Sequence, residues 1–165
     1  MIDPAIDEHA LWHELGLALT QRGHAWRLAS LATVADDGSA DARTVVLREV
    51  DPASRQLLFF TEAGSAKVRQ IRRQPLGTLL FWSRALAWQL RVKVRLSVQT
   101  NGDAVATRWG PIAGTTAERD YLAADGSVQF AVVTAQVLRL DWLALAADGA
   151  HRSARFGCDS SDESA

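Results

Sequence analysis

The sequence predicts a mostly β protein of the α+β class, an antiparallel barrel with short helices at its periphery. Short apolar runs recur along the chain, and turn sequences such as DDGS and DPAS separate them, as expected for hairpins. No strand–helix–strand alternation extends along the chain, which argues against a parallel sheet. The 165 residues, 48% of them hydrophobic, suffice for one domain with a substantial core, which we place at residues 1–158.

The N-terminal part is predicted to form a helix followed by a hairpin. Residues 5–22 place Leu11 and Leu15 at a spacing that puts both side chains on one helical face. Residues 27–35 and 40–50 are the two strands of the hairpin, because both are rich in apolar and β-branched residues and flank the DDGS turn.

The strand–turn–strand–helix unit at residues 43–67 carries the chemistry of the chain. Residues 56–61 form its second strand. Residues 66–74 form a basic helix, for which Ser65 resembles the N-cap and which Pro75 ends. A strand that leads directly into a helix presents free backbone N–H groups, and such groups bind anions.

Two cations and two hydroxyls are predicted to meet at the start of this helix. Thr61 and Ser65 are four residues apart at the helix mouth. Lys67 lies in the first turn, where a cation opposes the helix dipole at a cost of roughly 0.3–1 kcal/mol. An anion bound between these groups would reverse the sign of that penalty. Because Arg43 lies in the preceding strand, the unit predicts a site for an anionic, phosphate-bearing ligand.

Two further strands follow, one apolar throughout and one with a charged face. Residues 77–82 form a continuous apolar run, which predicts a strand buried on both faces. Residues 88–98 alternate, so their apolar side chains face inward while Arg91, Lys93 and Arg95 face the other way.

The remaining predicted elements are two short helices and two strands. The helices are predicted at residues 102–109 and 116–123, and the strands at residues 129–146 and 150–156. Asn101 resembles the cap of the first of these helices. The polar tail at residues 159–165 is expected to be disordered.

Composition and charge limit the classes of function. A net charge of −1 provides no basic field for nucleic acid. The acidic N-terminal segment lacks the apolar run of a signal peptide, and no run approaches the roughly 18 apolar residues of a membrane span. The single cysteine, Cys158, cannot form an internal disulfide, so we expect a cytoplasmic protein. His9 and His13 lack companion ligands, so no metal site is predicted.

The motifs of the central unit resemble those of the pyridoxamine 5′-phosphate oxidase family. The resemblance covers about residues 27–98 and rests on RTVVLR at residues 43–48, FFT at residues 59–61, Ser65, Lys67, Phe81 and Gln89. Members of this family are FMN-binding split β-barrels, usually homodimers with the flavin at the subunit interface. The resemblance therefore implies a split barrel, an FMN cofactor and a homodimer.

Carried over residue by residue, the resemblance implies a cofactor site and an adjacent substrate position. Arg43 and Lys67 would bind the FMN phosphate, and Thr61 and Ser65 would assist them. Arg48 stands where the family carries a basic residue near the substrate. Further cofactor contacts are implied for Thr44, Val45, Val46, Leu47, Phe60 and Gln89.

The chain departs from the family pattern at several ligand-binding positions. Ala66 occupies a position that is usually basic in the family. The sequence HRSAR at residues 151–155 is the nearest match to the family's C-terminal Arg-Leu-His-Asp-Arg stretch, and it lacks the His-Asp pair. The Tyr, Arg and Ser that hold the substrate phosphate in the family have no clear match in residues 101–127. Arg155 and Trp142 are candidates to reach the cofactor.

The leading interpretation is an FMN-dependent oxidoreductase that acts on an unassigned small-molecule substrate. One alternative is a flavin carrier or sensor without turnover, and another is a split barrel that binds deazaflavin F420 or haem. A nucleic-acid binder, suggested by the basic helix, fits the net charge poorly. Six tryptophans would give a homodimer interface large apolar surfaces to bury.

Overall fold

A computed structural model describes residues 6–157, so the predictions for residues 1–5, for Cys158 and for the tail at 159–165 lie outside the described residues. Within residues 6–157 the chain forms one antiparallel sheet of eight strands with short helices around it, which confirms the predicted mostly β fold. The strands are β1 (Leu28–Val34), β2 (Ala40–Val46), β3 (Glu49–Asp51), β4 (Gln56–Glu62), β5 (Leu76–Ser83), β6 (Trp88–Gln99), β7 (Phe130–Leu145) and β8 (His151–Phe156). The helices are α1 (Glu8–Thr20), α2 (Ala66–Arg73), α3 (Asp103–Trp109) and two 3-10 helices, Ala25–Arg27 and Thr116–Tyr121.

The barrel is split at the long strand β7, because two different strands pair with one of its edges. The strands follow the order β2-β1-β5-β6-β7-β4-β3 across the sheet, and β8 also pairs with β7. One edge of β7 pairs with β6 along most of its length. Its other edge pairs with β4 at residues 130–136 and with β8 at residues 140–145, so two different strands share that edge.

The strand predicted at residues 40–50 is in fact two strands with different partners. β2 pairs with β1, whereas β3 pairs with β4. Between them the Leu47 N–H donates to the Arg27 carbonyl at 2.9 Å, and the Arg48 N–H donates to the Leu58 carbonyl at 2.9 Å. The chain therefore passes from one strand partner to another at Leu47 and Arg48, a long-range effect that local alternation does not reveal.

The N-terminal helix packs its apolar face on the sheet. Asp7 caps α1, and its carboxylate accepts from the Ala10 N–H at 2.7 Å. Leu11, Leu15 and Ala18 are fully buried and belong to the main core. Removing such apolar surface from water is the main driving force that holds a helix to a sheet.

A second, smaller cluster lies on the other side of β4, and we call it the aromatic cluster. It consists of Leu58, Val105, Tyr121, Phe130 and Val132, with Phe60, Trp109 and Ile112 packed against it. Its rings meet mainly edge-on, as do Tyr121 and Phe130 at a centroid distance of 5.1 Å. This cluster joins α3 and the second 3-10 helix to β4 and β7.

The prediction that β5 is buried on both faces is wrong. Leu79 and Phe81 are buried, but Leu80 is 38% exposed and Trp82 is 46% exposed. An apolar run predicts burial without indicating what covers each face, and here one face of β5 lies on the surface of the chain. For β6 the predicted alternation is confirmed, with Leu90 buried and Arg91 exposed.

Two smaller predictions also need correction. The cap of α3 is Gly102 rather than Asn101, because the capping position has a φ of 93°, which glycine adopts far more readily than other residues. The helix predicted at residues 116–123 is the shorter 3-10 helix Thr116–Tyr121. Within residues 6–157, no helix has the length and apolar character needed to cross a membrane.

Candidate functional site

A cavity of about 340 Å³ lies where β4 leads into α2, and we call it the strand–helix cavity. Its walls come from β2, the end of β4, the start of α2 and the second 3-10 helix. The residues that line it are Thr44, Val45, Val46, Arg48, Phe60, Thr61, Glu62, Ser65, Lys67, Asp120 and Tyr121. The structure thus brings together most of the predicted site residues, but not Arg43, Leu47 or Gln89.

Two hydroxyls hold Lys67 at this cavity. Its Nζ donates to Thr61 Oγ1 at 2.8 Å and to Ser65 Oγ at 3.4 Å. Ser65 occupies the N-cap position of α2 as predicted, but its side chain makes no capping hydrogen bond. The Val68 N–H donates to the Ser65 carbonyl at 3.1 Å, so the N–H groups of Ala66 and Lys67 are the ones available to a bound anion.

Lys67 is a cation without an anionic partner. Within residues 6–157 it forms no salt bridge. Burial lowers the pKa of Lys67, and the positive charge of Arg43 lowers it further, whereas Glu62 acts in the opposite direction. A partly buried ammonium near a second cation is electrostatically unfavourable, and an anion bound beside it would stabilise its charged form.

Arg43 contributes its charge to this region but does not line the cavity. Its guanidinium donates to four oxygens, those of the Leu31 carbonyl at 3.3 Å, Thr33 Oγ1 at 2.6 Å, Asp41 Oδ2 at 2.8 Å and Gln70 Oε1 at 2.9 Å. A hydrogen bond from Gln70 and the charge of Arg43 lower the pKa of Asp41. Arg43 is therefore part of an internal network that links β1, β2 and α2.

The backbone of β2 forms one wall of the strand–helix cavity. β2 stands at the edge of the sheet, so one row of its N–H and C=O groups has no strand partner within the described residues. Thr44, Val45 and Val46 lie on this wall. Leu47 does not, because its side chain is in the core and its N–H already donates to Arg27.

The remaining wall is aromatic and carries one cation. The guanidinium carbon of Arg48 lies 5.8 Å from the centre of the Phe60 ring, a cation–π distance. Phe60 in turn meets Phe130 edge-on at 5.1 Å. The side chain of Arg48 is exposed and makes no hydrogen bond or ion pair within residues 6–157, so its charge is available to a ligand in this cavity.

Asp120 and Tyr121 line this cavity, although no motif in the sequence indicated them. They come from the second 3-10 helix, more than fifty residues after Lys67 in the chain. The Tyr121 carbonyl accepts from the Gln129 N–H at 2.7 Å, and the Gln129 carbonyl accepts from the Ala63 N–H at 2.5 Å. These bonds fix the 3-10 helix beside the end of β4. The one weak signal in the sequence is that Tyr121 is the single tyrosine of the chain.

A second cavity, of about 450 Å³, lies on β6, β7 and β8, and we call it the Trp142 cavity. Its lining residues are Gln89, Arg91, Asp141, Trp142, Leu143, Ser153, Ala154 and Arg155. Strand register explains this grouping, because Gln89 pairs with Leu143, and Asp141 pairs with both Arg91 and Arg155. The candidates Gln89, Trp142 and Arg155 thus lie together, away from Lys67.

The carboxylate of the Trp142 cavity is already paired. Asp141 Oδ2 accepts from Arg139 at 2.9 Å, and Oδ1 accepts from Arg155 at 2.7 Å. Burial acts to raise the pKa of Asp141, but hydrogen bonds from both arginines outweigh it and lower that pKa. No residue lines both cavities. Within residues 6–157, no group of three or more His, Cys, Asp or Glu side chains is placed to hold a metal ion.

Comparison with known families and proteins agrees with the fold. The family model described as pyridoxamine 5′-phosphate oxidase matches residues 21–140. The pyridoxine/pyridoxamine 5′-phosphate oxidase of Myxococcus xanthus (strain DK1622) is 38% identical over 76 residues, which are 46% of this chain and 36% of the relative. That of Thermosynechococcus vestitus is 36% identical over 97 residues, 54% of this chain and 45% of the relative. The matches span less than half of the length of either relative.

Proteins of similar fold with solved structures are described with different ligands. A pyridoxamine 5′-phosphate oxidase-related, FMN-binding protein from Nostoc punctiforme PCC 73102 has a TM-score of 0.71 at 19% identity, covering 95% of this chain and 100% of that chain. PhzG from Burkholderia lata 383, in complex with tetrahydrophenazine-1-carboxylic acid, has a TM-score of 0.70 at 18% identity, covering 97% and 91%. A heme-binding protein from Mycobacterium smegmatis has a TM-score of 0.57 at 16% identity, covering 93% and 59%. At these identities the likeness is one of fold.

Proposed function

Because the chain belongs to the pyridoxamine 5′-phosphate oxidase family, we propose that it is an FMN-binding flavoprotein and works as an FMN-dependent oxidoreductase. The observation that carries this proposal is the state of Lys67. A half-buried ammonium faces two hydroxyls and an uncapped helix start, and it forms no salt bridge within residues 6–157. These are the ligands that a phosphate group prefers.

The residues of the strand–helix cavity fit FMN at both of its ends. Lys67, Thr61 and Ser65 would hold the phosphate, and the charge of Arg43 would add to the attraction. The edge of β2 at Thr44, Val45 and Val46 offers unpaired backbone groups to a flat heterocycle. In this family's fold such a ring would lie beside Phe60, and Arg48 would face the substrate.

The flavin, when bound, supplies the redox chemistry, and the protein supplies binding and electrostatics. Arg48 would place a positive charge next to the reacting part of the cavity. The aromatic cluster would exclude water from one side of it. No side chain of the chain is required as a nucleophile, so the lack of a Ser-His-Asp arrangement is no obstacle.

We propose further that two copies of the chain complete the site. Leu28, Leu80 and Trp82 are exposed on one face of the sheet, at 54%, 38% and 46%. Leu28 pairs with Val46, which lines the strand–helix cavity, and Trp82 pairs with Gln89, which lines the Trp142 cavity. The same face carries Arg91, which pairs with Leu80. A second copy seated on this face would bring its Gln89 toward the flavin of the first, which one chain alone does not do.

A haem protein of this fold is the second candidate, because one structural neighbour is described as heme-binding. The walls of the two cavities argue for flavin instead. Neither the strand–helix cavity nor the Trp142 cavity is lined by His, Cys or Met, which are common ligands of haem iron. Tyrosine can also ligate haem iron, but Tyr121 is 6% exposed and packs against the rings of Trp109 and Phe130.

The test is the visible absorption spectrum of the purified protein, with mass spectrometry of any ligand released on denaturation. We expect flavin bands and the mass of FMN, or flavin bands after FMN is added. A haem spectrum, or no binding of added FMN, would contradict the proposal. Reduction of the bound flavin by NADPH or by a candidate substrate separates an oxidoreductase from a carrier without turnover.

A further inference from the structure

The substrate side of the strand–helix cavity carries a carboxylate, and we infer that it selects a substrate with a protonated amine and without a phosphate. Asp120 is the residue that would accept the amine, with Arg48 and Tyr121 beside it. This inference rests on the proposed function, because it takes FMN to occupy the Lys67 side of the same cavity.

Asp120 is held in place rather than carried on a free loop. The residue after it, Tyr121, is 6% exposed and meets Phe130 at 5.1 Å and Trp109 at 6.2 Å between ring centres. Its carbonyl is bonded to the backbone of Gln129, which is bonded in turn to Ala63 at the end of β4. The backbone of Asp120 therefore keeps a fixed position at the cavity wall, and its side chain is exposed.

The Asp120 carboxylate is also unoccupied. Within residues 6–157 it accepts no hydrogen bond and forms no ion pair. Arg48 shares the cavity wall but lies over Phe60 instead of pairing with Asp120. A carboxylate and a guanidinium that face one cavity without pairing leave room for a ligand that contacts either of them.

The other charged residues near Asp120 do not make the cavity wall basic. Arg108 is not among the residues that line the cavity, and it donates to both oxygens of Glu49, at 2.6 and 2.8 Å. Arg119 is exposed and is not part of the wall. Glu62, the second carboxylate of the wall, accepts from the Gly64 N–H at 2.8 Å. Once the FMN phosphate neutralises Lys67, Arg48 is the single cation left among the lining residues, against two carboxylates.

The physical consequence is a cavity that disfavours a second phosphate. A phosphate ester carries about −1.5 to −2 charge at neutral pH, and like charges in a shared cavity repel. A protonated amine is attracted by the same carboxylate. Residues 103–121 carry no basic cluster that could bind a substrate phosphate, and this fits the inferred selection.

Two probes that differ in a phosphate alone test the inference, namely pyridoxamine and pyridoxamine 5′-phosphate. Each is titrated into the FMN-loaded protein, and binding is followed by the change in flavin absorbance. The variants are Asp120→Asn, Asp120→Lys and the matched control Asp103→Asn, which removes an aspartate of the same segment that lines neither cavity. FMN affinity and melting temperature are measured for each variant.

We expect pyridoxamine to bind several-fold more tightly than its phosphate ester. Asp120→Asn should weaken pyridoxamine binding by about 1.5-fold to fivefold, the range for an exposed charge contact. Asp120→Lys should reverse the preference, and Asp103→Asn should change neither affinity. Tighter binding of the phosphate ester by the wild type, binding of neither probe, or a preference unaffected by Asp120→Lys would overturn the inference. Failure to bind FMN at all would instead overturn the proposed function.

Discussion

The strand–helix cavity and the Trp142 cavity differ in how their charges are satisfied. In the first, the ammonium of Lys67 meets hydroxyl oxygens only. In the second, the carboxylate of Asp141 already accepts from two arginines. Within residues 6–157 the cation of the first cavity therefore forms no salt bridge, whereas the carboxylate of the second cavity is paired with two arginines. On this ground we assign the FMN phosphate to the first cavity and an uncharged part of the flavin to the second cavity of a partner copy.

The largest expected effect comes from separating the two cavities. Trp82→Lys replaces the largest apolar side chain of the exposed face of β5 with a charge that a second copy would have to bury. We expect a monomer by light scattering, and a loss of FMN affinity of about tenfold or more, because the partner's Gln89 is removed from the site.

The control for this variant is Val128→Lys. Val128 is also exposed, at 49%, but it lies in the loop before β7 and not on this face of the sheet. Val128→Lys should leave the oligomeric mass by light scattering and the FMN affinity unchanged. A Trp82→Lys protein that stays dimeric and binds FMN as the wild type does would contradict the shared site.

The same comparison shows what the sequence could and could not predict. Most walls of the strand–helix cavity come from residues 44–67, so local patterning is enough to place Thr61, Ser65 and Lys67 together. The Trp142 cavity depends on the register of three strands, and residues as distant as Gln89 and Arg155 meet only through that register. Local sequence patterning therefore could not show that Gln89 and Lys67 line different cavities, because this depends on the strand topology.

Two other errors have the same physical origin. The chain divides residues 40–50 into β2 and β3 because Arg48 bonds to Leu58, a partner that sequence spacing does not indicate. Leu80 and Trp82 are exposed because nothing within residues 6–157 covers that face, and an apolar run gives no information on this. Asp120 reaches the site through backbone bonds from Tyr121 and Gln129, which carry no sequence signature.

Arg43→Ala tests whether Arg43 acts mainly by stabilising the fold around the cavity, in contrast to Lys67, which lines the cavity. Thr33 and Gln70 are 3% and 7% exposed, and both would lose the guanidinium that satisfies them. We expect the free energy of unfolding to fall by about 1–3 kcal/mol in denaturant titrations. FMN affinity should fall less than in Lys67→Met.

Arg95→Ala is the control for this variant, because Arg95 is exposed and lines neither cavity. It should change stability little. If Arg43→Ala left stability unchanged and removed most of the FMN affinity, Arg43 would have to bind the phosphate directly.

A smaller effect is expected for the salt bridge that fastens α3 to β3. The hydrogen bond from Arg108 to Glu49 raises the pKa of that arginine, so the pair is favourable in the fold. Because the side chains are 27% and 41% exposed, Glu49→Gln should cost only about 0.5–1 kcal/mol. Amide exchange should become faster at residues 103–121 and remain unchanged elsewhere.

The comparison pair is Asp36 and Arg73, whose side chains are 73% and 54% exposed. Asp36→Asn should have no measurable effect on stability, since an exposed pair contributes little. Equal losses from both variants would mean that the Arg108 pair does not fasten the segment that carries Asp120.

The smallest effect is a pH dependence of FMN affinity at alkaline pH. The pKa of Lys67 lies below its ordinary value, chiefly because of burial, and FMN should bind the protonated form. Affinity should therefore fall as pH rises through that lowered pKa, by at most about tenfold per pH unit for one proton. In the FMN-free protein the sign is opposite: stability should increase over the same rise in pH, because the unfavourable buried charge is lost. Lys67→Met should remove the pH dependence of FMN affinity and the pH dependence of stability in this range.

The most direct test of the central claim is calorimetric titration of FMN and of riboflavin, which lacks the phosphate, into the wild type and Lys67→Met. The control is Lys93→Met, the other lysine of the chain. We expect the wild type and Lys93→Met to prefer FMN strongly, and Lys67→Met to lose about tenfold to a hundredfold in FMN affinity while its riboflavin affinity stays the same. Equal affinity of the wild type for FMN and riboflavin, or an unchanged FMN preference in Lys67→Met, would contradict the claim that a phosphate binds where β4 leads into α2.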